Sequence, residues 1–403
     1  MGRQRRPALV QNFVVPLCML VLARGAAQPP AHESRLMIFM NRCGLAAQVA
    51  QAARADGYHA AVTATPAAAS LAEPALLRTQ WLAVGDGHEV LVQEFGAASG
   101  LPALVLHGGP GSGCSAMLRR YFDATRYRVI CVDQRGSGAS RPLGTTQHNT
   151  TAHLLADLRL LREQLGLQTW LVCGGSWGAA LALAYAAADP AAVQGLLLRS
   201  CFLARRSDVD HFFEGSAALC PAAWAQLVAA TALSMSQTQT QTQTQTQTKS
   251  AAPSVSMLDR LTAVFRRNNT AEVQAVALAW WAWERALASG FFELHGPTGA
   301  ALLACINRYR VQIHYLAHDC WLTEPPLLAR CAALPRVPTL IIHAEDDRIC
   351  PIAGSAALHT RLPGAGFVRL SAGGHDPGHP AMAAATRAAL DGFAMTGEFA
   401  LAP

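Results

Sequence analysis

The stretch Leu171–Ala186, LVCGGSWGAALALAYA, sets a single serine, Ser176, between a short apolar run and an Ala/Leu-rich stretch at helical spacing. Gly174, Ser176 and Gly178 make a G-x-S-x-G pattern that follows an expected strand and precedes an expected helix. Such an elbow holds a hydroxyl strained and exposed, with small flanking residues permitting the turn and helix N-terminal N–H groups favouring negative charge beside it. A serine hydroxyl is a weak nucleophile at neutral pH, so it needs a base, and the base needs an orienting carboxylate. Both lie downstream in the order serine, acid, histidine. Glu345, Asp346 and Asp347 end the run VPTLIIHAEDD, and SAGGHDPGHP carries His375 and His379. His375 follows two glycines and is the better placed imidazole, whereas His379 lies after a proline-containing turn. Attack at a carbonyl also creates an oxyanion that needs two N–H donors. Trp177, next to the serine, offers one, and the glycine-rich loop HGGPGSG, His107–Gly113, offers the other.

Several elements must hold these residues. The alternating text QWLAVGDGHEVLVQEFG, turning at GDG, predicts a β-hairpin. ALVLHGG and YRVICVDQRG are short apolar runs ending in glycine-rich turns, the pattern of buried strands whose loops carry chemistry. TTAHLLADLRLLREQLG spaces its leucines as an amphipathic helix with a glycine stop. Strand, helix and strand in alternation predict an α/β fold with a mostly parallel central sheet flanked by helices. A Trp-, Ala- and Leu-rich stretch at helical spacing interrupts this alternation and predicts a helical cap inserted between core strands. The expected organisation is a core over 71–200 and 336–395, a cap over 201–335 and a tail at 396–403. Within the cap, the Gln/Thr repeat has no apolar face to bury, so 236–256 is expected to be a disordered surface loop.

Composition narrows the function. The chain has 403 residues, 51% of them hydrophobic, enough for a large core, and a net charge of +6. Its basic residues are dispersed, with the densest cluster at Arg3–Arg6, so nucleic-acid binding is not expected. Eleven cysteines without a C-x-x-C pair argue against zinc-ribbon or thioredoxin-like chemistry. Cys131 and Cys173 fall inside apolar runs, where cysteine acts as a small buried hydrophobe. Residues 1–70 read as a leader, disordered or targeting. Its basic start and apolar stretch outline a secretory signal, although Gln11, Asn12 and Pro16 interrupt it. That stretch is too short to span a bilayer, so no stable membrane insertion is expected. The expected location is cytoplasmic, with secretory or mitochondrial targeting as the alternatives.

Taken together, LHGGPGSG, DQRGSGAS, NTTAHLLADLRLLREQLG, GGSWGAALALAYA and HAEDDRICP resemble the proline iminopeptidases, or prolyl aminopeptidases, of the α/β-hydrolase superfamily. The likeness runs from about Leu71 to about Phe393. It implies an α/β-hydrolase fold with a helical cap and a serine peptidase that releases N-terminal proline from peptides. Anchoring on Cys350 and Pro351 places the family's catalytic aspartate on Asp347, leaving Glu345 and Asp346 on non-catalytic positions. The family's cap recognises a free imino group through carboxylates and holds the ring with aromatic residues. WWAWERA puts one such acid on Glu284, whereas VQIHYL puts Gln312 at the second acid position, a departure that removes a charge. Phe202 in RSCFLARR and Phe213 in HFFEGS match the aromatic positions, the latter in a segment one residue shorter than the family's.

The resulting expectation is a serine aminopeptidase. Ser176 attacks, His375 shuttles the proton, Asp347 orients the imidazole, and the N–H groups of Gly109 and Trp177 hold the oxyanion. No metal or cofactor is expected. The substrate is a peptide with a free N-terminal proline or a similar small residue. An esterase or amidase for other small acyl groups, or a silent binding protein of the same fold, would share most of these features.

Overall fold

The computed structural model describes residues 73–239, 255–290 and 295–400, so the expected leader lies outside the described residues. Strands β1 (Leu76–Gly85) and β2 (His88–Gly96) form the antiparallel hairpin predicted around GDG, with Asp86 and Gly87 turning the chain at positive φ. After them come β3 (Leu101–Leu106), α1 (Ala116–Arg119), β4 (Tyr127–Val132), α2 (Thr151–Gln164), β5 (Trp170–Gly175), α3 (Trp177–Ala188) and β6 (Val193–Arg199). A helical stretch follows, comprising α4 (Arg206–Phe212), α5 (Pro221–Gln239), α6 (Met257–Arg267), α7 (Thr270–Ser289), α8 (Gly299–Ala317) and α9 (Leu327–Arg330). The chain then returns through β7 (Thr339–Ala344), α10 (Ile352–His359), β8 (Gly366–Leu370) and α11 (Pro380–Thr396).

The eight strands make one sheet in the order β1-β2-β4-β3-β5-β6-β7-β8. Only the β1/β2 and β2/β4 pairings are antiparallel. Side chains alternate across a strand, and each face therefore builds its own core. On one face Leu104, Leu106 and Val172 pack with Leu154, Leu158 and Leu161 of α2 and with α3. On the other, Ala103, Val105 and Leu171 pack with Met382, Leu390 and Phe393 of α11. The helix read from TTAHLLADLRLLREQLG is α2, capped by the Thr150 side chain and followed by Gly166 at a φ of 66°. Cys131 and Cys173 are buried in the core as their surroundings imply.

One expectation needs correction. Ser236–Gln239, assigned to a disordered loop, complete α5, and at the other end of the assigned range Ser256 caps α6 by accepting from the Asp259 N–H. A helix already nucleated adds one hydrogen bond for each residue it fixes, and glutamine is a good helix former, so a polar repeat can prolong it. Residues 240–254 lie outside the described residues.

Candidate active site

The chemistry-bearing residues gather where parallel strands end. His107 follows β3, Ser176 follows β5, Arg199 closes β6, Asp347 lies just past β7 and His375 past β8. Loops at the carboxyl ends of such strands converge at one edge of the sheet, where ligands bind in open α/β sheets. A cavity of about 450 Å³ opens there, lined among others by Gly109, Ser176, Phe202, Glu284, Gln312 and His375.

Ser176 sits at φ 57° and ψ −126°, a backbone conformation that non-glycine residues seldom adopt, directly before the first residue of α3. Two contacts impose the turn. A Cβ on Gly174 would meet the Gly178 carbonyl oxygen at 2.1 Å, and one on Gly178 would meet the Leu106 carbonyl oxygen at 2.2 Å. Both obstacles are backbone, so neither position admits a side chain without moving β3 or α3. The Ser176 N–H donates to the Arg199 carbonyl at 2.9 Å, which ties the elbow to the end of β6.

His375 Nδ1 lies 2.8 Å from Asp347 Oδ2. Asp347 Oδ1 accepts from the N–H groups of Ile349 and Cys350, each at 2.9 Å. Burial alone would raise the Asp347 pKa, but His375, His343 and these N–H groups outweigh it and hold the carboxyl well below its ordinary range. For His375, burial disfavours the charged ring, yet the Asp347 carboxylate prevails and raises the imidazole above its ordinary value. A second histidine, His343, supports the aspartate from inside the core: its Nε2 faces the Cys350 carbonyl at 2.8 Å and Asp347 Oδ2 at 3.2 Å. Both neighbours are acceptors only, so Nε2 carries the proton and Nδ1 accepts from the Ser355 hydroxyl at 2.6 Å. Nothing in the strand text of β7 marks His343 for this role. The rival residues have other work. Asp346 accepts from the Gly374 N–H at 2.8 Å, bracing the loop before His375; Glu345 pairs with Arg369; His379 caps α11. The Tyr121 hydroxyl donates to the Pro377 carbonyl and braces the same loop from its far side. No direct Ser176–His375 hydrogen bond is made among the described residues; in unliganded sites such bonds are often loose and tighten on substrate.

Gly109 lies in the loop after β3, and Trp177 is the first residue of α3. Neither backbone N–H donates to another described group, so both remain available. A side chain the sequence reading passed over joins the two segments: Gln134, from DQRGSG, donates through Nε2 to the His107 carbonyl at 3.0 Å and accepts at Oε1 from the Trp177 indole at 2.8 Å. His107 Nε2 accepts from the Gln134 N–H at 3.0 Å, while its Nδ1 lies 2.9 Å from the Gly108 carbonyl oxygen and 3.2 Å from the Gly113 nitrogen, so the ring ties the glycine-rich loop to the loop after β4. The following residue, Arg135, is 2% exposed and grips both oxygens of Asp157 at 2.7 and 2.8 Å, pinning this loop to α2.

On the side of the cavity formed by the helical stretch, Glu284 of α7 receives three donors from α8. Arg308 Nη2 reaches Oε2 at 2.7 Å, the Tyr309 hydroxyl reaches the same oxygen at 2.8 Å, and Gln312 Nε2 reaches Oε1 at 3.4 Å. Arg308 is a cavity residue the sequence reading missed; its position one turn before Gln312 is the signal that could have found it. Gln312 is buried, and its own Oε1 takes no hydrogen bond among the described residues. Phe202 lies on the cavity wall. Phe213 does not: it is fully buried against Phe212 and Trp280, and Phe212 holds the wall position instead. That one-residue offset matches the segment's shorter length.

Away from the cavity wall, Asp86, His148 and His153 place possible ligand atoms within 4.8 Å of one another. Asp86 is already engaged by Arg135 at 3.3 Å and His153 Nδ1 by Thr150 at 2.8 Å, so no catalytic metal is invoked there. Among the described residues, no helix is long and apolar enough to cross a membrane.

A family model described as the alpha/beta hydrolase fold matches residues 102–379. The crystal structure of a protein from Acinetobacter baumannii AYE superposes with a TM-score of 0.53 at 19% identity, covering 80% of this chain and 93% of that one, a likeness of fold. In sequence, the chain is 35% identical over 323 residues to the proline iminopeptidase of Xanthomonas citri, a match covering 78% of this chain and 95% of that one. It is 33% identical over 322 residues to the proline iminopeptidase of Xylella fastidiosa strain Temecula1, covering 77% and 95% respectively. With its mostly parallel sheet, its elbow serine and these relatives, the chain belongs to the proline iminopeptidase family of the α/β-hydrolase fold.

Proposed function

We propose that this protein is a serine aminopeptidase that releases proline, or a similarly small residue, from the free N-terminus of peptides. The observation that carries the reading is the strained Ser176 at the head of α3, sharing one cavity with a His375 already paired to Asp347. In this reading Ser176 Oγ attacks the carbonyl of the N-terminal residue while His375 Nε2 accepts its proton, and Asp347 fixes the ring and stabilises the imidazolium. The N–H groups of Gly109 and Trp177 take the oxyanion. His375 returns the proton to the leaving amine, and water, activated by the same imidazole, releases the acyl group from Ser176. The helical stretch serves as a cap whose Glu284, Gln312 and Phe202 receive the N-terminal residue, and it excludes water, which strengthens polar contacts made there.

One observation favours a second reading, an esterase or amidase for other small acyl groups: the Glu284 charge is already met by Arg308. A fluorophosphonate probe tests the shared serine chemistry. Labelling of the wild type and not of Ser176→Ala is expected, and an unlabelled wild type overturns both readings. Rates on a proline arylamide, an alanine arylamide and a short acyl ester then choose between them. The aminopeptidase reading expects the proline arylamide to lead, and a clear preference for the ester refutes it.

A further inference from the structure

Glu284 of α7 is a carboxylate on the cavity lining, and its surroundings decide what charge it presents to a substrate. All three of its partners are donors from a single helix, and one of them, Arg308, is a full cation at 2.7 Å. The Arg308 and Glu284 side chains are 32% and 13% exposed, so water screens this pair far less than it would a surface pair. Gln312, the third donor to Glu284, is neutral, and Asp208, the other carboxylate that the helical stretch brings to the lining, is held by Arg205 at 2.6 Å. A protonated amine approaching Glu284 therefore meets attraction from the carboxylate and repulsion from a guanidinium a few ångströms farther on, which at about twice the distance offsets roughly half of that attraction. Arg199, which also lines the cavity, adds further positive charge, and it has no carboxylate partner among the described residues.

We propose that Arg308 is a specificity-determining residue: by offsetting the charge of Glu284, together with Arg199, it opens the acyl pocket to small groups that are uncharged next to the carbonyl, alongside those bearing a free amine. The inference rests on the reading of this cavity as the acyl-group site. Its substrate class is a small, ring-sized acyl group recognised by shape against Phe202 and Phe212 and by hydrogen bonding, with little preference for a cation.

Binding to the inert Ser176→Ala protein tests this without turnover. L-prolinamide and cyclopentanecarboxamide match in shape and differ in the charge of the ring nitrogen. Calorimetry on the full chain is expected to show affinities within about threefold of each other, a difference well below that of an uncompensated ion pair. Adding Arg308→Met should raise the preference for prolinamide by roughly tenfold or more, while Arg308→Lys, which keeps the charge, should not. Arg308→Gln, which removes the charge but retains a donor to Glu284, gives the same reading should the methionine variant fold poorly. A strong preference for prolinamide with Arg308 in place overturns the proposal. So does a ratio unmoved by both Arg308→Met and Arg308→Gln, or failure of both ligands to bind. An unlabelled Ser176 in the probe experiment, with the binding ratio still shifting on loss of Arg308, overturns the serine chemistry and leaves the charge-setting role standing.

Discussion

At the scale of single residues, His375 must be neutral to accept a proton from Ser176, so its pKa sets the acidic limb of the rate. Two forces act on it in opposition: burial disfavours the charged ring, and Asp347 favours it and prevails. The value is thus raised, and kcat/KM should fall as pH drops through a point above the ordinary histidine value of about 6.5. Asp347→Asn removes the main favouring charge and leaves burial and the nearby Arg199 opposed only by the weaker pull of Glu284, so the limb should move to lower pH. The asparagine oxygen can still accept from Ile349 and Cys350, keeping the loop in place, while its amide group faces His375 Nδ1 and enforces the wrong tautomer. In serine peptidases with this arrangement such a change lowers kcat by roughly ten-thousandfold. A pH–rate profile of the variant checks both statements, and a limb that rises in pH would contradict the charge assignment. Ser176 was legible in the text because an elbow is a local pattern of five residues flanked by a strand and a helix. The choice among Glu345, Asp346 and Asp347 was not legible from the text alone, since adjacent acids differ only in where the loop aims them, and it took the family resemblance to select one.

At the scale of elements, the oxyanion site depends on holding the end of β3 against the start of α3. Gln134 does this with one amide, donating to the His107 carbonyl and accepting from the Trp177 indole. Its side chain is 4% exposed, so Gln134→Ala would leave both buried groups without partners. Each orphaned group costs about 1–3 kcal/mol, and urea unfolding should show a loss of at least that size. Catalysis should suffer separately, because displacing one oxyanion donor typically lowers kcat by about a hundred- to a thousandfold. The expected kinetic signature is a fall in kcat with KM little changed, since the acyl pocket on α7 and α8 makes no use of Gln134. A variant that loses stability yet retains full kcat would show that the two loops keep their register without this bridge. The strands, α2 and α3 were readable from periodicity and stop signals, which are local. Gln134 was not readable as a bridge, because its two partners stand 27 and 43 positions away and only the sheet brings them together. Phe213 shows the same limit at finer grain: which of two adjacent phenylalanines meets the cavity depends on where α4 ends.

At the scale of the whole molecule, the helical stretch has to be held over the sheet so that Glu284 and its donors face Ser176. The joint is Asn149, buried in the loop just before α2. Its Nδ2 donates to the carbonyls of Arg135 and Thr145, each at 3.0 Å, and its Oδ1 accepts from the Tyr315 hydroxyl of α8 at 2.8 Å. Next to it, His314 Nε2 lies 2.9 Å from the Asn149 carbonyl, and the Thr151 hydroxyl donates to the Cys320 carbonyl at 2.5 Å. The Tyr315 ring also packs edge-on against Trp177 at 5.0 Å, so the helix that bears Arg308 and Gln312 rests directly on the residue beside the nucleophile. Tyr315→Phe keeps that ring contact and removes only the hydroxyl, leaving Asn149 Oδ1 unpaired. Loosening this joint should blur the position of the acyl pocket and leave the elbow intact. Losing one buried hydrogen bond is worth about 1–1.5 kcal/mol, equivalent to roughly five- to tenfold in an equilibrium. KM for a proline arylamide should therefore rise by about that factor, while the rate of fluorophosphonate labelling at Ser176, which needs only the elbow, His375 and the oxyanion donors, stays within about twofold. If labelling instead slows as much as KM rises, the joint governs the nucleophile itself, and the separation between a reactive sheet edge and a selective helical cover does not hold in this protein.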